Sequence, residues 1–436
     1  MRRAWLQFAV ALLVCASAEA QIEWITWDPM AIRASRTEPV RLDVQYAGAT
    51  ASTALRLDLA AGGAITLTAM GAGRFTTNVP AASALFDFKA DDVNRNFVGF
   101  LRTLGAGGTV VSTYNLFINV LDSSIGAVAV KSRPNDARQT ARILNLYRPT
   151  IGRNSQTATQ QFYAYFADDF DFVQVIFALP GYPDNRHHIV VRNDISGIGL
   201  APSNATSFYG SAGRLLGLNV YPLDSLFDAG ESAFSHETGH QWINYLDNPR
   251  LQPGPHWPPS TMATGIMGFN IAGSNVGGNF PWVVEPAGTG FARTTTRQSD
   301  PEFTDFDLYL MGLIPPSAVG EALLLDGTPC HNCTVPATKL TINDVLNQHG
   351  PRLPAWPNAK NAFRVATVVI TRDRLLNDDE MALLEFFAAR GEARITLPYT
   401  SGFARGTTKP FYLATRGLAT VDLRLAPQNK HRAVRH

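Results

Sequence analysis

Five residues, His236-Glu237-Thr238-Gly239-His240, constrain this chain more than any other feature, because they make chemical sense together only on a helix. At helical spacing His236 and His240 project from one face a turn apart, so two imidazole nitrogens can meet one zinc ion at about 2.0–2.1 Å. Glu237 is rotated about 100° from His236, beside the metal and off it. There its carboxylate is placed as a general base toward water that the ion activates. The flanks predict how far the helix runs: Asp228 and Glu231 have capping-box spacing, and Pro249 ends a run of roughly five turns. Phe234, Trp242, Ile243 and Leu246 supply its apolar side. Two histidines and a glutamate on such a half-buried helix are costly to desolvate without a ligand.

The chain has 436 residues, 45% hydrophobic and 17% charged, enough for two or three domains that each bury a core. Its 37 basic and 36 acidic side chains give a net charge of +1, so the charge balance implies neither a polyanion nor a membrane surface as partner. No arginine cluster has the density of a nucleic-acid groove, and no nucleic-acid partner is expected. Residues 1–20 read as an export signal: Arg2 and Arg3, an apolar run from Ala4 to Ala16, then the cleavage pattern Ala18-Glu19-Ala20. This predicts a secreted or periplasmic protein beginning at Gln21, and no later stretch is long and uncharged enough for a transmembrane segment. Val14 before Cys15 argues against a lipid anchor. Cys330 and Cys333 then remain and are expected to form a small-loop disulfide.

The pattern predicts an α+β protein. From residue 21 to 124, short alternating runs such as Val40-Arg41-Leu42-Asp43-Val44 and Leu55-Arg56-Leu57-Asp58-Leu59 predict an antiparallel, Ig-like β-sandwich. Residues 125–149 read as a linker, 150–425 as a mixed α/β catalytic domain, and 426–436 as a basic tail. Within the second domain a helix is predicted over Thr157–Phe166. Strands are expected over Phe172–Phe177, His188–Val191 and Phe363–Ile370. A capped helix follows from Asn377 to Arg390, then strand-like runs around Phe411 and Val421. His187 and His188 read as surface or core residues.

At the pentad the chain resembles the zincin superfamily of metallopeptidases. From His236 through Asp307-Leu308-Tyr309-Leu310-Met311-Gly312-Leu313 it is similar to a group of exported bacterial proteins with the same pentad that are presumed to be peptidases. The resemblance implies a zincin-like fold for 150–425, a bound zinc ion, and hydrolysis of peptide or protein substrates with Glu237 as general base. It leaves the third metal donor open. The longer metzincin motif would place Gly and His three and six residues beyond His240, where Ile243 and Leu246 stand, and Asp247 is one residue off the aspartate variant. Glu285 lies between Pro281 and Pro286, where a helix is disfavoured. His256, directly after the active-site helix, is the preferred third donor. Asp307 is the alternative, on a helix expected to be capped by Asp300, to have Pro301 in its first position and to stop at Pro315. It could equally partner a ligand histidine or an arginine. Gly265-Ile266-Met267-Gly268-Phe269 is similar to the methionine turn under some zincin sites. Tyr245 or Tyr309 could stabilise an oxyanion by the same analogy, packing being the alternative, and His188–Asp194 would border the substrate groove. Two other functions fit the same residues: an extracellular binding or adhesion protein with a closed structural zinc site, and a zinc hydrolase of non-peptide amides or esters.

Overall fold

The computed structural model describes residues 21–33, 35–80, 93–121, 125–179, 186–223, 233–247, 251, 256–268, 282–296, 302–327, 329–397 and 409–425. The export-signal and tail readings and the Asp228–Glu231 cap lie outside these residues. Alternation sets the first unit. In β3 (Val40–Ala47), Val40, Leu42, Val44 and Tyr46 are buried while Arg41 is exposed. One sheet has the order β1 (Gln21–Asp28), β3, β7 (Arg74–Val79), β6 (Thr68–Gly71). The other runs β2 (Ala31–Arg33), β9 (Val110–Leu121), β8 (Val93–Leu104), β4 (Ala54–Leu59), β5 (Ala64–Thr66). Side chains from both sheets share one apolar core, Leu42, Val44 and Phe75 meeting Leu57, Leu101 and Ile118. The sheets are antiparallel as expected, except that β2 joins β9 in parallel.

A mixed sheet of eight strands forms the centre. Its order is β10 (Lys131–Arg133), β11 (Ala137–Gln139), β12 (Ile143–Tyr147), β22 (Ala362–Thr371), β13 (Phe172–Ala178), β17 (Gly217–Pro222), β14 (His187–Val190), with β23 (Thr420–Asp422) also on β22. The strands β12, β22, β13 and β17 are parallel, and β14 closes one edge antiparallel. Parallel strands covered on both faces read as nearly continuous apolar runs, as β13 and β22 do. The faces still alternate. Val173, Val175 and Phe177 join the core that holds Ala158 and Phe162 of α1 (Ser155–Tyr163), whereas Phe172 and Ile176 face the core holding Trp242 and Ile243. Residues 125–149 are therefore not a linker: they supply β10 to β12, too short and too close to the sheet edge to show a period in sequence.

Around this sheet lie α2 (233–239), α3 (Asp305–Met311), α4 (Ile342–His349), α5 (Asp378–Gly391) and α6 (Phe411–Ala414). Two short strands, β15 (Arg192–Asn193) and β16 (Ser203–Asn204), pair beside β14. A four-stranded antiparallel sheet has the order β18 (Trp282–Pro286), β19 (Phe291–Thr296), β21 (Thr334–Leu340), β20 (Ala322–Leu325). The strand expected near Phe411 is α6, where Pro410 starts a single turn and Phe411 packs edge-on against Phe234, Phe303 and Phe363. Cys330 and Cys333 are disulfide-bonded. The sandwich meets the second unit at the start of α5, where Arg33 pairs with Asp379, and Arg374 with both Asp28 and Glu380. No helix among the described residues is long and apolar enough to cross a membrane.

Candidate metal centre and general base

The first four residues of the pentad lie on α2, packed over β17, and His240 follows directly at its C-terminal end. Asn219 Nδ2 donates to Thr238 Oγ1 at 2.9 Å, and Gln241 Nε2 donates to the Arg192 carbonyl at 2.9 Å, so the helix is fixed from the sheet side. Gly217 makes that approach possible, since a Cβ there would fall 2.4 Å from the His188 ring and 2.7 Å from Gln241 Oε1. Helical geometry ends earlier than Pro249. Beyond Gly239 the amides of Gln241 and Trp242 bond three residues back, and Asn244 takes φ 79°, a left-handed position that asparagine tolerates. The Tyr245 hydroxyl donates to the freed His240 carbonyl.

Three imidazoles converge. His236 Nε2 lies 3.0 Å from His256 Nε2 and 3.2 Å from His240 Nε2. They form one group with all donor atoms within 4.8 Å of one another. His236 Nδ1 donates to the Ile266 carbonyl at 2.8 Å, which leaves its Nε2 with the lone pair that faces the other two rings. Burial pushes the His236 imidazole down to about 3 and holds His240 well below its usual range, with His256 lowered too. Neutral rings with lone pairs turned on one another repel unless a cation lies between them, and an all-imidazole donor set suits zinc and its transition-metal neighbours. These residues fit a metal ion.

Beneath them lies the turn 265–268. Met267 is fully buried against Gly239, where a Cβ would stand 2.6 Å from the Met267 sulfur. Glu237 is nearly buried and outside the donor group, and Arg186 Nε donates to its Oε1 at 2.9 Å. Burial raises the Glu237 carboxyl to about 7, the Arg186 charge opposing the rise.

Of the third-donor candidates, only His256 joins the pair. Asp307 is fully buried, but its Oδ1 accepts from Trp257 Nε1 at 2.7 Å and its Oδ2 from Thr304 N at 2.8 Å and Thr304 Oγ1 at 2.9 Å. It closes the capping box of α3, whose N-cap is Thr304 and not Asp300. Asp300 and Pro301 lie outside the described residues. Burial raises the Asp307 carboxyl to about 6, against the hydrogen bonds from Trp257 and Thr304. Glu285 is exposed on β18 and Asp247 is exposed after α2. Tyr309 accepts from the Arg352 amide at 3.1 Å and Tyr245 serves His240, so both hydroxyls are committed to holding backbone. His188 lies between Asn219, 2.7 Å away, and Gln241, 3.1 Å away, and is no part of the triad. Sequence reasoning missed Arg186, which stands 51 positions from Glu237 and carries no spacing signal. It also missed Asn219 and the Ile266 carbonyl. Comparison with family models, curated proteins and solved structures returned no match.

Proposed function

We propose that the chain is a zinc-dependent hydrolase of peptide bonds, acting outside the cytoplasm through a zincin-like unit. The observation that carries this reading is the convergence of His236, His240 and His256 on one point, with Glu237 buried beside it and held out of the donor set. His236, His240 and His256 would hold a zinc ion, which when bound would supply Lewis acidity toward water and a carbonyl oxygen. A site with a purely structural role has no use for a desolvated carboxylate at that place.

The remaining work falls to the chain. Glu237 takes a proton from the attacking water and returns it to the leaving amine. Arg186 fixes one carboxylate oxygen through Nε, so the other is left to address water with little conformational freedom. The edge strand β14 pairs with β17 on one side, and among the described residues no strand pairs with the other. An extended peptide laid along that edge would be oriented by main-chain hydrogen bonds, which suits a peptide over a small ester.

The test compares the parent with Glu237→Gln, measuring zinc per chain and cleavage of a mixed peptide library. Stoichiometric zinc in both with cleavage by the parent alone is expected. Zinc in both with no cleavage by either would contradict hydrolysis and favour a binding protein.

A further inference from the structure

Asp307 divides its two oxygens between two tasks. Oδ2 caps α3 on Thr304, while Oδ1 takes the indole N–H of Trp257 at 2.7 Å, in a site with no solvent exposure. Capping alone does not require that burial: α4 carries the same box, Thr341 with Asp344, and Asp344 is only half-buried. The second task is what the interior position serves. Trp257 is also pinned through its backbone, its N–H donating to the Met267 carbonyl at 3.1 Å beside a bridge to Gly268. The indole, 2% exposed, is thus tied to α3 while the backbone is tied to the turn under the triad.

His256 is the next residue back along the chain. His236 has the Ile266 carbonyl to orient its ring. Among the described residues His256 has no such partner outside the triad: its approach within hydrogen-bond distance is to His236 Nε2, 3.0 Å away. Its direction is set through its backbone, and among the described residues the adjoining fixed point is Trp257. We propose that Asp307 is a positioning residue for the third metal donor, acting through Trp257 and not as a ligand. This rests on the metal site proposed above and specifies how that site is held. A buried carboxylate makes a stronger and more directional acceptor than a neutral group, which suits it to fixing a loop residue whose neighbour must meet a metal.

The experiment measures zinc affinity by competition with a chromogenic chelator for the parent, Trp257→Phe, Asp307→Asn and His256→Ala, together with thermal unfolding of each metal-free protein. Trp257→Phe keeps the ring and removes only the donor. It should bind zinc roughly 10–100-fold more weakly than the parent and alter the visible spectrum of the cobalt-substituted protein. Asp307→Asn retains an oxygen for the indole and disturbs the cap. That oxygen is a neutral and weaker acceptor, so this variant should unfold at lower temperature and bind zinc more weakly than the parent, by no more than Trp257→Phe does. His256→Ala sets the size of a lost donor. Parental zinc affinity in Trp257→Phe or in Asp307→Asn would overturn the proposal, as would a loss in Asp307→Asn well beyond that in Trp257→Phe, which would assign the effect to the helix cap. A parent that binds no zinc would fail at the earlier step and sink the metal site itself.

Discussion

The sandwich and the face of the central sheet that carries α2 are built by the same alternation, yet they enclose different chemistry. Between its sheets the sandwich holds Leu42, Val44, Leu57, Phe75 and Ile118, and Arg56 and Arg102 pair with the part-exposed Asp58 outside that core. Above β17, by contrast, Asn219, Thr238, Gln241, His236, Glu237 and Asp307 are all buried, most of them with named partners. A polar group enters an interior at a cost unless its hydrogen bonds are replaced. A row of such groups, each held by another, marks the part of the molecule whose geometry has to be kept, while the sandwich needs only shape.

The comparison breaks if substitutions in the two regions act alike. The largest expected separation is between Glu237→Gln, which should lower kcat by about 10²–10⁴-fold with little change in unfolding, and Leu57→Ala. The latter should cost about 2–5 kcal/mol of stability by opening a cavity while the folded fraction keeps parental kcat and zinc content. Chemical denaturation and turnover measured on the same samples distinguish them. Next is the junction. Arg374→Met leaves Glu380, which is 1% exposed, with its backbone donors Met30 and Asn377 and without its charged partner, and should cost about 2–3 kcal/mol, below the full value for a buried pair because Arg374 is itself part-exposed. If the sandwich and the second unit are coupled there, calorimetry should show the parent's transition broadening or splitting.

A smaller change sharpens the comparison inside the site. Gly239→Ala pushes a methyl group toward the Met267 sulfur and Phe303 and should cost about 1–3 kcal/mol, with weaker zinc binding, whereas Gly126→Ala meets nothing within 4 Å and should be close to neutral. The smallest effect is one of pH. Burial lowers His188 to about 4 from its usual 6.5. The folded state therefore resists a proton that the unfolded chain accepts, so this contribution to stability is intact above pH 6.5 and is lost as pH falls through about 4. His188→Gln should flatten that acid limb in unfolding measured across pH 4–7, and an unchanged limb would remove His188 from the account.

Much of this was legible because it is local. Alternation in Val40–Val44 and the apolar runs of β13 and β22 report burial face by face, and the pentad points to a group that could hold a metal because i and i+4 lie one turn apart. What failed either leaves no periodic signal or depends on distant partners. The end of α2 is decided by a left-handed Asn244 and by Tyr245 taking a carbonyl, neither visible in the period of Trp242, Ile243 and Leu246. The residues at 411–414 are too few for strand and single-turn helix to differ in pattern. Asp307 sits among apolar neighbours in sequence as a ligand would, and only the path of the chain brings Trp257 to it and His256 to the triad. Arg186 reaches Glu237 across the sheet edge, a contact that no spacing encodes.

The central claim is that three imidazoles hold one metal ion with a position left open. X-ray absorption at the zinc edge of the purified protein tests it most directly. The expected result is one zinc per chain with three nitrogen neighbours at about 2.0–2.1 Å and one oxygen that exchanges with added ligand, the nitrogen count falling to two in His256→Ala. A protein without zinc, or a site closed by a fourth protein donor that admits no added ligand, would contradict it.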